Sequence, residues 1–167
     1  MQISMHAMSH GVFHQALTQL LHIMEKGVAN AQARNFDVSV LVNARLAPDM
    51  LPFSRQIQLT SDFAKNSMAR LAGVDPPRFE DTETTMAELV VRVKKTVEYL
   101  DTVPATALQG SETRAITIKL RDRTLEFQGL EFLQVWALPN FFFHHVMAYA
   151  LLRHNGVDIG KRDFLGR

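Results

Sequence analysis

The sequence predicts an all-α four-helix bundle with a short β-hairpin inserted before the last helix. Three observations carry that prediction. Four segments repeat apolar residues at three- and four-residue intervals, the spacing of a helix face. One stretch alone alternates apolar and polar residues with a period of two. A layered α/β fold would need several strands, and only this one hairpin is seen.

The first helix is expected from Met5 to about Arg34, with Val12, Phe13, Ala16, Leu17, Leu20, Leu21, Met24 and Val28 on one face; Asn35-Phe36-Asp37 ends it. The second presents Phe53, Ile57, Thr60, Ala64, Met68 and Leu71. With Asp49 as its N-cap, Pro52 falls at the third helical position, where the missing N–H has no intrahelical partner, so the helix is expected to begin at Asp49. Gly73 stops it, reinforced by Pro76 and Pro77. Thr85-Met86-Ala87-Glu88 has capping-box spacing and opens a third helix through Leu89, Val90, Val93, Val97 and Leu100 to Pro104; Arg92, Lys94, Lys95 and Glu98 read as its solvated face. Ile116, Ile118 and Leu120, then Leu125 and Phe127 after Arg121-Asp122-Arg123, alternate as a hairpin.

From Leu130 to Leu152 the chain is apolar nearly all round, which predicts a helix buried on most sides. Pro139 should kink or split it, because it cannot donate to the carbonyl of Val135. Gly156 is the expected C-cap, and Ile159, Phe164 and Leu165 suggest a tail that folds back.

At 167 residues and 47% apolar, the chain suits one domain, 1–167, with a single core. Lys and Arg number 18 against 17 Asp and Glu, a net charge of +1 with both signs interspersed, so neither nucleic acid nor a membrane surface is an expected partner. The chain has no Cys, which excludes disulfides, thiolate metal sites and cysteine nucleophiles. No Lys or Arg precedes Lys26 and no run approaches 18 uninterrupted apolar residues, so a cytoplasmic location is expected. Phosphate-binding glycine loops, EF-hand loops and nucleophile motifs are not found.

Three stretches resemble a known family: Arg45-Leu46-Ala47-Pro48-Asp49-Met50-Leu51-Pro52-Phe53; Ala137-Leu138-Pro139-Asn140-Phe141-Phe142-Phe143-His144; and Leu152-Arg153-His154-Asn155-Gly156-Val157 with Gly160-Lys161-Arg162-Asp163-Phe164-Leu165-Gly166. Together they are similar to a bacterial domain-of-unknown-function family within the DinB-like superfamily. The resemblance implies an up-down-down-up bundle, frequently a homodimer, related to metal-dependent thiol transferases and hydrolases. That superfamily takes one metal-binding His from the second helix and two from the last in a His-x-x-x-His spacing. Here no His lies between Met50 and Ala72, Ala148 stands four beyond His144, and Tyr149 four beyond His145. The usual three-histidine site is therefore not expected.

Asn140 and His144 are four apart on one helix face, and Asp49 or Gln56 of the second helix would oppose them, giving a polar site where the superfamily holds its metal. The alternative is that Asp49 is an N-cap and His144 a hydrogen-bonded core histidine. His145, Tyr149 and Arg153 repeat the spacing on an adjacent face and, with Lys161, could hold an anion or form a seam toward the tail or a second subunit. Lys161-Arg162-Asp163 either closes over a bundle end or is a solvent-facing turn. His6, His10 and His14 at i, i+4 and i+8 could chelate Zn²⁺ or Ni²⁺, or form a polar surface near the terminus. The Phe141-Phe142-Phe143 run must divide between core and a dimer face. The expected function is a homodimeric small-ligand-binding or interaction protein without the three-histidine metal site. The alternative is a divergent metal-dependent hydrolase or thiol transferase-like enzyme with a mixed O/N site around His144.

Overall fold

The computed structural model describes residues 3–167. It contains α1 (Met5–Met8), α2 (His10–Ala33), α3 (Ser39–Asn43), α4 (Phe53–Ala72), α5 (Met86–Thr102), β1 (Ala115–Lys119), β2 (Thr124–Gln128), α6 (Gly129–Glu131), α7 (Leu138–His154) and α8 (Lys161–Leu165). The four long helices form the bundle: α4 packs against both α5 and α7, and α2 packs against α5 and against the tail helix α8. Phe13, Phe53, Phe132 and Phe141 are the largest side chains of the shared core. The hairpin is antiparallel, with Ile116 opposite Phe127 and Ile118 opposite Leu125, so that one face of its pleat reaches the core.

Three boundaries differ from expectation, each for a local reason. The first helix is interrupted at Ser9, a buried residue whose hydroxyl bonds the Met5 carbonyl at 2.7 Å and whose backbone, at φ −111° and ψ −74°, is distorted within the right-handed region. The second helix begins at Phe53, not Asp49: Pro52 occupies the N-cap position in extended geometry, and Asp49 lies in an exposed turn between Pro48 and Pro52. A proline biases the residue before it away from helical angles, and two prolines four apart keep this segment out of the helix. The last helix is not split at Pro139. It runs from Gly129 to His154 by passing through a π-helical stretch, Phe132–Ala137, immediately before the proline. The wider turn accommodates the ladder bond that Pro139 cannot make.

The distribution of burial also departs from the sequence reading. Twelve of the twenty α4 residues are buried, among them Gln56, Gln58, Thr60, Ser61, Lys65 and Ser67. Only five of the seventeen α7 residues are, and Phe143 and Val146 of that helix are exposed. The more polar helix is thus the central one. Its burial is made possible by the connection between α4 and α5, which lies over it as extended chain. Arg92, expected on a solvated face, is instead 1% exposed and bridges Asp62 at 2.9 Å, Asp81 at 2.9 Å and Glu83 at 3.0 Å. Lys65 donates to the Pro77 carbonyl at 2.6 Å, and Gln58 to Glu83 at 2.9 Å. Unpairing a buried ion pair by removing one partner costs about 3–5 kcal/mol, so this network fixes a segment that has little apolar surface of its own.

The capping box of α5 forms as its sequence spacing predicts: Thr85 accepts from the Glu88 N–H, and Glu88 accepts from the Thr85 N–H. Gly73 and Gly156 take left-handed angles at the ends of α4 and α7. At Gly129 the requirement is steric. A Cβ there would lie 1.9 Å from the Ser111 carbonyl oxygen, so the start of the last helix depends on backbone approaching backbone. Alanine is intrinsically favoured over glycine in a helix by about 1 kcal/mol, but overpacking against a fixed carbonyl costs about 3 kcal/mol or more. Gly129→Ala should therefore lower stability in urea unfolding by about 2 kcal/mol or more; an unchanged or raised midpoint would show that the Ser111 turn yields freely.

Candidate functional site

Where α4 meets α7, Gln56 and His144 face each other across the helix interface. The His144 Nδ1 and the Gln56 Oε1 are 2.8 Å apart. Gln56 is itself held, because its Nε2 donates to the Leu51 carbonyl at 3.2 Å. That carbonyl belongs to the proline-bracketed turn before α4, so the turn that keeps Asp49 out of the helix also orients the amide. With the amide N–H committed to Leu51, the Oε1 can only accept from the imidazole, and the proton sits on Nδ1. The tautomer leaves the Nε2 with its lone pair. Such an imidazole accepts a hydrogen bond, takes up a proton or ligates a cation through Nε2.

Phe63, two turns along α4 from Gln56, stacks on the His144 ring at 5.6 Å, and Phe143 meets its edge at 5.2 Å. Partial burial, aided by the Arg55 charge, lowers the His144 pKa below its ordinary value, so the ring is neutral at pH 7. Arg55 itself pairs with Asp81 at 2.6 Å. The remaining members of the expected site are not brought in. Asn140 is half-buried and donates to the Trp136 carbonyl of its own helix at 2.7 Å, satisfying an oxygen at the end of the π-helical stretch. Asp49 is exposed in its turn. The candidate site therefore reduces to Gln56 and His144, with Leu51, Phe63 and Arg55 supplying contacts that the sequence did not single out. Phe63 was within reach of such reasoning, since it lies seven residues, two helical turns, from Gln56.

The second candidate set divides. His145 is fully buried and lies in a slot of rings, with Phe164 of the tail stacked on it at 4.6 Å and Phe141 and Phe142 at 5.8 and 6.2 Å. Neither of its nitrogens has a hydrogen-bond partner. Tyr149 touches the edge of Phe164, whereas Arg153 reaches back to the Val157 carbonyl and Lys161 is exposed. The tail folds back as expected and closes over one end of α7. Asp163 anchors it to Lys26 at 2.5 Å and His22 at 3.3 Å, and also accepts from the Gly160 N–H at 2.8 Å. The bond from Lys26, followed by that from Gly160, holds the Asp163 carboxyl at about 2.

His6, His10 and His14 stack in sequence, with ring centroids 4.5 and 5.4 Å apart, so the periodic spacing does bring them together. Their partner is Asp101 at the end of α5, 2.9 Å from His10 and 3.7 Å from His14. Among the described residues no three His, Asp or Glu side chains converge as a metal site would require.

The four-helix bundle with a short hairpin before its last helix is the DinB-like fold, as comparison with known proteins shows. The family model of a domain of unknown function, DUF1993, matches residues 5–165, and the chain belongs to that family. It is similar to a solved structure of a DinB family member protein from Shewanella denitrificans, at 36% identity over 97% of this chain and 92% of that one, with a TM-score of 0.89. No curated protein matches the chain.

The adjacent histidines, one buried and one half-buried, give the protein a defined response to acid. Burial pushes the His145 pKa from 6.5 down to about 4, so between those values the unfolded chain binds a proton that the folded one refuses. Stability should fall by up to about 1.4 kcal/mol per pH unit as pH drops through that window. His144, lowered in the same direction, adds to the loss. The Asp163 contribution is present above the ordinary carboxylate value of 3.8 and is lost only as pH falls toward about 2. Urea unfolding across pH 4–7 should show the steeper first fall in the wild type and a flatter profile in His145→Phe; equal slopes would mean that His145 is solvated.

Proposed function

We propose that the protein is a homodimeric binding protein that takes up a small polar ligand at the Nε2 of His144 and does so without the superfamily's three-histidine metal centre. The observation that supports this reading is the fixed tautomer: Leu51 orients Gln56, Gln56 holds the proton on Nδ1, and a neutral acceptor is presented beside the rings of Phe63 and Phe143. A ligand suited to it donates one hydrogen bond to the imidazole and packs an apolar part on the flanking rings.

The dimer reading draws on the same helix. Phe143 is 58% and Val146 45% exposed, three residues apart on one stripe of α7 that the bundle does not cover. A second copy of the chain would shield that stripe and flank His144. An enzyme reading also uses the free Nε2, as a general base or as one ligand of a metal with mixed O/N donors. The bonds made by Asn140 to its own helix and the exposed place of Asp49 favour binding over that alternative.

Native mass spectrometry of protein purified without an affinity tag tests both parts. The expected species is a dimer carrying a non-metal adduct, which is lost in a folded His144→Ala protein. Stoichiometric metal that disappears on the same substitution would overturn the non-metal reading, and a bare monomer would overturn the proposal as a whole.

A further inference from the structure

The hairpin is a sheet of two strands, so each strand has one side without a partner. Leu120 donates to the Arg123 carbonyl at 2.8 Å, which makes these two a hydrogen-bonded pair, and bonded pairs alternate with unbonded ones along an antiparallel ribbon. Ile118 and Ile116 therefore bond Leu125 and Phe127, while the backbone N–H and C=O groups of Lys119, Thr117 and Ala115 point away from β2. All three residues are exposed. Between β1 and the end of α4 lies an open cleft of about 550 Å³ lined by Arg70, Val74, Asp75, Arg114, Ile116 and Thr117. Among the described residues none of β2 lines it, so the cleft is on the free side of β1. Its walls are basic, since Arg70, Arg114 and, farther along the strand, Lys119 outnumber the single carboxylate of Asp75. Arg114 is accounted for by the fold, because it donates to the Leu71 carbonyl and closes the end of α4. Arg70 is not. It is half-buried, and burial lowers its pKa with no carboxylate or hydrogen bond among the described residues to offset the cost. Its place in the last turn of α4 suits the helix dipole, which a fully solvated side chain would serve equally. Val74 adds an apolar side chain, 54% exposed, to the same wall.

We propose that the free edge of β1 and the cleft beside it bind an acidic peptide segment in extended conformation, which adds to the hairpin as a third strand. The backbone of the segment bonds the outward groups of Ala115, Thr117 and Lys119, the mode by which an exposed sheet edge takes up a peptide. Its carboxylates meet Arg70 at one end of the edge and Lys119 at the other, and its apolar side chains cover Val74 and Ile116. From Ala115 to Lys119 the edge is about 14 Å long, so a peptide of about eight residues spans it. A second copy of the chain is the wrong occupant for a β1-to-β1 pairing. Ala115 of each copy would lie opposite Lys119 of the other, setting the cations of the two clefts against one another, and like charges across a strand pair are destabilising. The charge of the cleft calls for an acidic partner. This site is separate from the acceptor at His144 and does not depend on it.

The test is fluorescence anisotropy of a labelled, end-blocked octapeptide of alternating glutamate and valine titrated with the full chain, beside a control peptide with lysine in place of glutamate. The acidic peptide should bind saturably and the basic one should not. Arg70→Gln should weaken binding by about tenfold, the loss of one charge-assisted hydrogen bond. Thr117→Pro removes an N–H that the ladder to β2 does not use and places a ring on the edge, so it should weaken binding by about tenfold or more while the protein stays folded. Should Thr117→Pro fail to fold, the peptide carries the same test: N-methylation of its glutamate amides, or else of its valine amides, must weaken binding in one of the two frames. The proposal is overturned if neither peptide binds, if both bind alike, or if Arg70→Gln binds as the wild type does. Binding that survives Thr117→Pro or N-methylation in both frames is charge attraction without strand addition and overturns it equally. Self-association in sedimentation that Thr117→Pro abolishes would give the edge to a second copy and overturn it as well.

Discussion

Burial of a polar helix is the constraint from which the rest of the structure follows. Helix α4 lies between α5 and α7 with Gln56, Gln58, Thr60, Ser61, Lys65 and Ser67 out of solvent, and burying such groups is costly unless they find partners, which Gln56, Gln58, Thr60 and Lys65 do and the Ser61 hydroxyl does not. Thr60 finds one in its own helix, bonding the Gln56 carbonyl at 2.7 Å. Lys65 and Gln58 find theirs in the connection to α5, which is drawn across α4 and locked by the three carboxylates on Arg92. Gln56, on the side facing α7, finds Leu51 and His144. The same requirement thus produces a structural network on one side of the helix and a chemically distinct imidazole on the other.

The last helix is shaped to meet α4 despite its own sequence. Gly129 lets its first turn approach the Ser111 carbonyl, and the π-helical stretch carries the chain past Pro139 without a break. The added residue in that wide turn resets which faces follow, so that Phe141, Ala148, Leu151 and Leu152 enter the core, His144 meets Gln56, and His145 lies under the tail. Adjacent histidines on one helix project about 100° apart. One becomes half-buried with an oriented proton, and the other is fully buried with no hydrogen bond at all. Their chemistry differs because their neighbours differ.

Much of this was legible in the residues. The four helical periods, the capping box at Thr85 and Glu88 and the hairpin follow from spacing and local chemistry, and Gln56 was one of two second-helix residues expected to oppose Asn140 and His144. What was not legible depended on contacts distant in sequence. Arg92 looked like a surface residue because helical periodicity reports only which face is apolar; it cannot show that Asp62, Asp81 and Glu83 arrive from two other segments to cover a polar face. The apolar length of α7 suggested complete burial for the converse reason, since an apolar face need not be covered within one chain, and Phe143 and Val146 are not. Asp49 suited an N-cap by residue type, but the two prolines around it decide the backbone first. The partners of His145 and Asp163 came together through the tail, whose return path no local pattern specifies.

The claim on which the functional account rests is that Gln56, held by Leu51, fixes the proton of His144 on Nδ1. Long-range ¹H–¹⁵N correlation spectra of the imidazoles near pH 7 observe this directly. The account predicts a neutral His144 in the Nδ1–H form whose tautomer preference is lost in Gln56→Ala, while the other histidine signals stay in place. A His144 that is charged, that carries its proton on Nε2, or that is indifferent to the loss of Gln56 would contradict it.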